Sequence, residues 1–177
     1  SQPNPLSQYG KSKLAGEEAV IQHVDNHAIL RTAWLYSSTG RNFLKTMLKL
    51  AVTNPERELK VVDDQYGSLT WSYTLALQIS KLLPSELTGI MHTTSEDYSS
   101  WYAAARYFLD AMQVPYTMSP CTTKEYPTPA HRPANSILEN KVLKEAGIST
   151  FIGWQEDIDT FVAGNREQLL LEARDEK

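Results

Sequence analysis

Short apolar segments alternate with amphipathic segments along this chain, and the alternation restricts its fold more than any other feature of the sequence. The predicted strands are 28–36, 59–64 and 89–94, with a turn at 65–70 and a further extended segment at 114–122. The predicted helices are one that begins near residue 9 and others through 42–54, 75–83, 98–112, 138–146 and 154–162. A chain in which strands alternate with helices is expected to be an α/β protein.

Size and charge narrow the possible functions. The 177 residues, 41% of them hydrophobic, suit one domain or a lobe of a larger one. The formal net charge is −4 and no basic run stands out, so we expect no nucleic-acid partner. The apolar runs are far shorter than the ~18 residues of a membrane-spanning helix, so we expect no membrane partner. Cys121 is the only cysteine, which excludes an intrachain disulfide and fits a reducing, cytoplasmic compartment.

The segment from Tyr9 to Glu17 carries a candidate catalytic pair. Tyr9 and Lys13 are four residues apart, so a helix would place both side chains on one face, one turn apart. Ser7 is a candidate N-cap for that helix. A nearby ammonium favours the phenolate form of a tyrosine, which brings its proton closer to exchange at working pH. Taken alone, this spacing is common, and a partly buried tyrosine beside a solvated lysine is the alternative interpretation.

Seven short motifs follow one another along the chain. They are Tyr9-Gly10-x-Ser12-Lys13-Leu14-x-Gly16-Glu17, Arg31-Thr32-x-Trp34, Asn42-Phe43, Asp64-Gln65-Tyr66-Gly67, Gly89-Ile90-Met91-His92, Ser100-Trp101-Tyr102 and Tyr126-Pro127-x-Pro129-Ala130-x-Arg132-Pro133-x-Asn135-Ser136. In this order they resemble the dTDP-4-dehydrorhamnose reductase family, which is part of the extended short-chain dehydrogenase/reductase superfamily. The resemblance extends over nearly the whole chain.

The resemblance implies a fold and a domain division. The fold would be the C-terminal part of a Rossmann-like, doubly wound parallel sheet together with a small α/β substrate-binding lobe. Residues 1–165 would form this portion, and 166–177 would be a charged tail. The sequence lacks the glycine-rich turn that cradles a dinucleotide in this superfamily. We therefore expect the chain to be a C-terminal fragment that is inactive alone.

The resemblance also implies an activity and its residues. It implies reduction of the 4-keto group of dTDP-4-dehydro-L-rhamnose to dTDP-L-rhamnose for polysaccharide biosynthesis, with hydride from NADPH or NADH. By this resemblance Tyr9 is the catalytic acid, and Lys13 assists it and bonds the nicotinamide ribose, so that both residues also bind the cofactor. Trp34 would contact the nucleotide-sugar substrate. The other implied substrate-binding residues are Asn42, Gln65 and Arg132.

Several candidate residues have structural alternatives. Asn42 suits the N-cap of the helix that follows it, and Arg132 could equally form a structural salt bridge. Arg31 is expected to form a structural ion pair, and His92 is expected to be a satisfied core histidine. Aromatic residues at helical spacing are expected in the core. These are Trp101, Tyr102 and Phe108.

Assembly and function also have alternatives. Some members of the resembled family use carboxylates to build a Mg²⁺-dependent dimer, but Tyr73 stands near the place where one such acid is expected. We therefore expect no dimer bridged by Mg²⁺, while a homodimer of another kind stays open. One alternative function is a non-catalytic relative, such as the regulatory subunit of methionine adenosyltransferase. Another is a reductase or epimerase that acts on a different nucleotide sugar.

Overall fold

A computed structural model describes residues 3–5, 7–127 and 132–175. In chain order the elements are α1 (Gln8–His23), β1 (Ala28–Arg31), β2 (Leu35–Tyr36), α2 (Phe43–Thr53), β3 (Glu58–Val62), β4 (Tyr66–Gly67), β5 (Thr70–Trp71), α3 (Ser72–Leu82), β6 (Gly89–His92), β7 (Ser99–Ser100), α4 (Trp101–Met112), β8 (Thr117–Cys121), β9 (Asn135–Ser136), α5 (Lys141–Glu145) and α6 (Trp154–Asp175). Pro129 and Ala130 of the last sequence motif lie outside the described residues.

The strands pair into small and mostly parallel sheets. Strand β1 runs parallel to β6, β2 to β5, and β3 to β8. Strand β4 lies between β7, which is antiparallel to it, and β9, which is parallel. Helices separate strands that pair in parallel, as such connections require. The predicted α/β class is therefore confirmed.

The main hydrophobic core lies where α2, α4 and α6 pack together. Its fully buried side chains include Leu44, Leu48, Phe108, Leu109, Ile158 and Phe161. Complete burial of one such side chain contributes about 1.5–3 kcal/mol to the free energy of unfolding. Phe108 was predicted in the core, and that prediction is confirmed. This core supports the residues at the N-terminal ends of α2 and α4.

The predicted strand 28–36 is wrong as a single element. It is divided into β1 and β2 because Trp34 has a φ angle of 47°, in the left-handed region that interrupts an extended strand. The predicted turn at 65–70 is also more ordered than expected, because β4 lies within it and β5 begins at its last residue. Short strands of two residues carry too little periodicity to be recognised in a sequence.

The last helix is longer than predicted. Helix α6 continues past Val162 to Asp175, since Leu169 and Ala173 extend its buried face along the core. The division of the chain into 1–165 and 166–177 stays a prediction, and α6 crosses that boundary. The hydropathy of the described helices shows none that could span a membrane.

Candidate functional site

The candidate catalytic pair lies on α1, as the sequence predicts. The helix begins at Gln8, and the hydroxyl of Ser7 accepts a hydrogen bond from the backbone N–H of Gly10 at 3.0 Å, so the predicted N-cap is confirmed. The Nζ of Lys13 lies 5.3 Å from the ring centroid of Tyr9. Tyr9 is 72% exposed, and its hydroxyl makes no hydrogen bond within the described residues. The phenol is therefore accessible to a ligand, with an ammonium beside it.

Trp34 stacks on Trp101, which the sequence analysis placed in the core. The two ring centroids are 3.6 Å apart and the ring planes differ by 11°. Phe43 packs edge-on against Trp101, with 4.6 Å between ring centroids. Trp101 is partly buried and packs against a small core cluster, as predicted, but it also lines a cavity, which was not predicted. It is the first residue of α4, directly after the N-cap Ser100, and this position brings it to a cavity rim.

The backbone of Gly67 makes room for the Trp34 indole. A Cβ atom at residue 67 would lie 2.4 Å from Cε2 of Trp34 and 2.7 Å from the hydroxyl oxygen of Ser136. Both distances are shorter than real side chains tolerate. The close approach of the indole to β4 therefore requires glycine at this position.

Gln65 and Arg132 meet at the same tryptophan. The Nε1–H of Trp101 donates to Oε1 of Gln65 at 3.2 Å, and Nε2 of Gln65 donates to the hydroxyl of Thr123 at 3.1 Å. The guanidinium carbon of Arg132 lies 5.9 Å from the Trp101 ring centroid, within the range of a cation–π contact. Trp101 thus links two residues that the sequence separately predicted to bind substrate.

These side chains border a cavity of about 400 Å³. Its lining residues are Phe43, Thr46, Met47, Lys60, Val61, Val62, Gln65, Trp101, Tyr126 and Arg132. One wall is aromatic and apolar, and two cationic side chains contribute to the lining. Such a cavity suits a planar ring system attached to an anionic group, since aromatic faces stack on bases and a guanidinium matches phosphate oxygens.

The sequence predicted only Gln65 and Arg132 among the ten lining residues. Three of the others show why, because each has an ordinary structural interpretation. Phe43 belongs to the apolar face of α2, Lys60 lies on β3, and Trp101 lies at helical spacing with core residues. Periodicity identifies which residues share a face, but it does not distinguish a packed face from a cavity wall. The sequence did carry one signal that Trp101 lies at a helix end and not within the helix, which is its position immediately after a serine N-cap.

Asn42 is engaged as a helix cap. Its Oδ1 accepts a hydrogen bond from the backbone N–H of Lys45 at 3.1 Å, and its Nδ2 donates to the backbone carbonyl of Ser37 at 2.8 Å. Asn42 does not line the aromatic cavity but borders a separate one of about 330 Å³ between α2 and α6. The geometry therefore favours the N-cap alternative for this residue.

Helix α1, which carries the candidate catalytic pair, is joined to β1 by the ion pair that the sequence predicted for Arg31. Its guanidinium donates twice to the carboxylate of Glu17, from Nε at 2.9 Å and from Nη2 at 2.5 Å. These hydrogen bonds hold the pKa of Glu17 below its ordinary value. Nδ1 of His92 lies 3.0 Å from the backbone carbonyl of Glu139, so that histidine also has a structural partner.

Five of the six predicted site residues form two clusters, and Asn42 belongs to neither. Lys13 does not line the aromatic cavity but borders a smaller one of about 260 Å³, together with Glu17 and Arg31. Trp34, Gln65 and Arg132 gather around Trp101, as described above. The structure therefore separates the helix face that carries the candidate catalytic pair from a pocket that suits a nucleotide.

Comparisons with known proteins agree on one family. Residues 1–166 match the family described as RmlD substrate binding domain. The spore coat polysaccharide biosynthesis protein SpsK of Bacillus subtilis is 40% identical over 82% of this chain and 50% of its own length. A dTDP-4-dehydrorhamnose reductase of Sinorhizobium fredii is 38% identical over 97% of this chain and 60% of its own length.

A solved structure gives the same result. The crystal structure of a dTDP-4-dehydrorhamnose reductase from Bacillus anthracis in complex with NADP superposes with a TM-score of 0.87 and 33% identity. The alignment covers 93% of this chain and 57% of that protein. The chain thus spans about half to three-fifths of the length of the relatives it matches.

Proposed function

This chain belongs to the RmlD substrate binding domain family, and from that premise we propose that it binds the nucleotide sugar and supplies the proton donor in an NADPH-dependent 4-keto reduction. The proposed substrate is dTDP-4-dehydro-L-rhamnose and the product is dTDP-L-rhamnose. The observation that carries the proposal is the cavity at Trp101, where an aromatic wall lies beside the cation of Arg132. That combination matches a nucleoside diphosphate more closely than it matches a neutral sugar.

Different pocket residues are proposed to bind different parts of the substrate. The Trp101 indole, held by the Trp34 stack and by its hydrogen bond to Gln65, lines the cavity and is proposed to contact the base. Arg132 and Lys60 supply positive charge for the diphosphate. Gln65 acts mainly by orienting Trp101, because both ends of its amide already have partners.

Tyr9 is proposed to donate the proton to the C4 oxygen of the substrate. Charge develops on that oxygen as the carbonyl carbon is reduced, and a phenol aimed at it stabilises the transition state. Lys13 lies beside the ring and keeps an ammonium near the phenol as its proton leaves. The transfer leaves a hydroxyl on C4 and a phenolate on Tyr9, which solvent can reprotonate because the side chain is 72% exposed.

The residues on α1 fit a nicotinamide cofactor. Lys13 makes no hydrogen bond or ion pair with another residue in the described ranges, so its ammonium is available to the hydroxyls of a ribose. NADPH, when bound, would supply the hydride to C4. NADH as the alternative cofactor, a cytoplasmic location, a homodimer without bridging Mg²⁺ and the lack of a nucleic-acid partner stay predictions.

The test is NADPH oxidation that depends on dTDP-4-dehydro-L-rhamnose, measured for the 177-residue chain and for the complete product of its gene. Tyr9→Phe should lower kcat at least ~100-fold, the usual contribution of a positioned general acid. The matched control is Tyr98→Phe, which removes an exposed phenolic hydroxyl that borders none of the three described cavities. Binding of dTDP without reduction by either form would overturn the proposal in favour of a non-catalytic relative.

A further inference from the structure

We propose that the Arg31–Glu17 ion pair is the positioning element for Tyr9 and Lys13, because it fixes which way the catalytic face of α1 points. This inference rests on the proposed function for its kinetic consequence. Its structural part, that the pair holds α1 in place, stands independently. Arg31 and Glu17 are positioning residues here, since neither is assigned a contact with the reacting atoms.

Within the described residues, helix α1 has few other contacts. None of its residues from Gln8 to His23 is buried, and it makes no extensive contact with any other described element. Within the described residues, the bonds from Arg31 to Glu17 are the side-chain hydrogen bonds that join α1 to another secondary-structure element. In this chain the orientation of α1 therefore depends on that specific contact, because packing of an amphipathic face is what usually fixes a helix.

The geometry of the pair restricts rotation. Two parallel N–H to oxygen bonds, at 2.9 Å and 2.5 Å, join the planar guanidinium of Arg31 to the planar carboxylate of Glu17. A bidentate contact fixes direction as well as distance, which a single bond from a lysine would not do. Both side chains are largely sheltered, with exposed fractions of 30% for Arg31 and 17% for Glu17.

The spacing of residues along α1 means that the ion pair also restrains Tyr9 and Lys13. Tyr9, Lys13 and Glu17 are spaced four residues apart, so all three lie along one face of α1. Lys13, Glu17 and Arg31 border the same small cavity, which places the ammonium next to the ion pair. Holding Glu17 therefore sets the direction in which Tyr9 and Lys13 project.

The residue on the other side of the ion pair belongs to a paired strand. Arg31 is the last residue of β1 and lies opposite His92, the last residue of β6, in the parallel register. Its carbonyl accepts a hydrogen bond from the backbone N–H of Thr93 at 2.8 Å. The carboxyl ends of parallel strands are where α/β proteins bind ligands. The ion pair thus ties the acid–base helix to the end of the sheet at which a ligand is expected.

Three variants of the complete gene product test the proposal: Glu17→Gln, Arg31→Gln and the exchanged pair Glu17→Arg with Arg31→Glu. Each single variant should lower kcat about 10- to 100-fold, because a displacement of about 1 Å at a reacting centre can cost that much. KM for the nucleotide sugar should change less than about threefold, since the aromatic cavity does not include the pair. The exchanged pair should recover most of the lost kcat.

The matched control is Glu145→Gln, which removes the acid of an exposed ion pair with Lys141 on α5. It should leave both constants unchanged. Unaltered kcat in the single variants, or an exchanged pair as slow as the singles, would overturn the positioning role. A rise in KM of similar size to the fall in kcat would also overturn it, because that result would mark Arg31 as a ligand contact.

Hydrogen exchange separates this inference from the proposed function. In the 177-residue chain, Glu17→Gln should make the amides of α1 exchange at least about tenfold faster than in the unsubstituted chain, while those of α4 should be unchanged. This holds whether or not the protein reduces the sugar. Unchanged protection of α1 would overturn the inference even if the unsubstituted protein is an active reductase. Absent reductase activity with faster α1 exchange would overturn the proposed function alone.

Discussion

The indole of Trp34 lies flat against that of Trp101, with 3.6 Å between ring centroids and 11° between ring planes. The contact joins the segment between β1 and β2 to the first turn of α4, so it links two parts of the chain that are distant in sequence. Arg132 and Gln65 then engage the same Trp101 ring and its N–H. Removing the Trp101 indole should therefore disturb the whole pocket.

We expect Trp101→Ala to weaken binding of dTDP at least about tenfold. Stacking of a base on an aromatic side chain contributes about 1–3 kcal/mol, and about 1.4 kcal/mol corresponds to a factor of ten. Trp101→Phe should recover part of the affinity. Calorimetric titration with dTDP is the measurement, and Tyr73→Ala is the control because Tyr73 is an exposed aromatic residue outside the cavity. Equal affinities for Trp101→Ala and the unsubstituted chain would place the base elsewhere.

Gly67→Ala should move the Trp34 indole and destabilise the protein by about 1–3 kcal/mol, the usual cost of overpacking. The reason is that the new methyl group would lie 2.4 Å from Cε2 of the ring. Urea unfolding measures the stability, and tryptophan fluorescence reports the displaced indole.

Gly164→Ala is the matched control for that substitution. Gly164 lies inside α6, and a Cβ there meets no atom within 4 Å. Alanine should raise stability there by about 0.5–1 kcal/mol, because it restricts the unfolded chain. A Gly67→Ala variant as stable as the unsubstituted protein would contradict this prediction. It would show that the Trp34 indole can move away from residue 67 without cost.

The sequence predicted those parts of the fold whose signals are local. The side chains of Ser7 and Asn42 each accept a hydrogen bond from the backbone N–H three residues later, so both caps are local. The starts of α1 and α2 could therefore be predicted from short motifs. The break at Trp34 did not follow, because its left-handed backbone accompanies packing against the distant Trp101 and Gly67. Hydrophobic periodicity carries no information about contacts between residues that are distant in sequence.

The candidate site was predictable to the same extent. The spacing of Tyr9 and Lys13 on one helix face is a local property, and the structure shows them side by side. Trp101 was missed as a pocket residue, because a tryptophan at helical spacing gives the same pattern whether it faces a core or a cavity. The partners of Arg31 and Gln65 are set by tertiary contacts. The sequence predicted that Arg31 forms an ion pair but not which residue is its partner, and it predicted neither partner of Gln65.

Asn42→Ala distinguishes a helix cap from a ligand contact. Loss of the bond from Lys45 N–H to Asn42 Oδ1 should lower the free energy of unfolding by about 0.5–2 kcal/mol. The affinity for dTDP should stay within about twofold, since Asn42 does not border the aromatic cavity. Urea unfolding and dTDP titration of the same preparation give both numbers. A large loss of affinity at unchanged stability would restore the substrate-binding role that the resemblance implies.

Asp157 gives the protein a pH-dependent element outside the candidate site. Its buried carboxyl accepts hydrogen bonds from the hydroxyl of Thr74 at 2.7 Å and from that of Ser95 at 2.6 Å, and no described cation pairs with it. Burial raises the pKa of Asp157 above its ordinary value of 3.8. The folded protein therefore binds this proton more tightly than the unfolded chain does.

The sign of the resulting pH dependence follows from that difference. The contribution of Asp157 to stability is complete below the ordinary pKa of 3.8 and is lost as the pH rises through the raised pKa of the folded state. Asp157→Asn cannot titrate. Its amide resembles the protonated carboxyl, with one oxygen that accepts and one group that donates, so the substitution should cost at most about 1–3 kcal/mol at low pH. That cost should shrink as the pH rises, because the unsubstituted protein then carries a buried charge.

Urea unfolding of both proteins from about pH 4 to about pH 8 measures this difference, and comparing them cancels the titration of all other groups. Asp25→Asn makes the same chemical change on an exposed loop and should track the unsubstituted protein within about 0.5 kcal/mol throughout. A cost of Asp157→Asn that grows with pH would mean that the carboxylate is stabilised in the folded state. In that case the two hydroxyl donors, and not burial, would dominate the environment of Asp157.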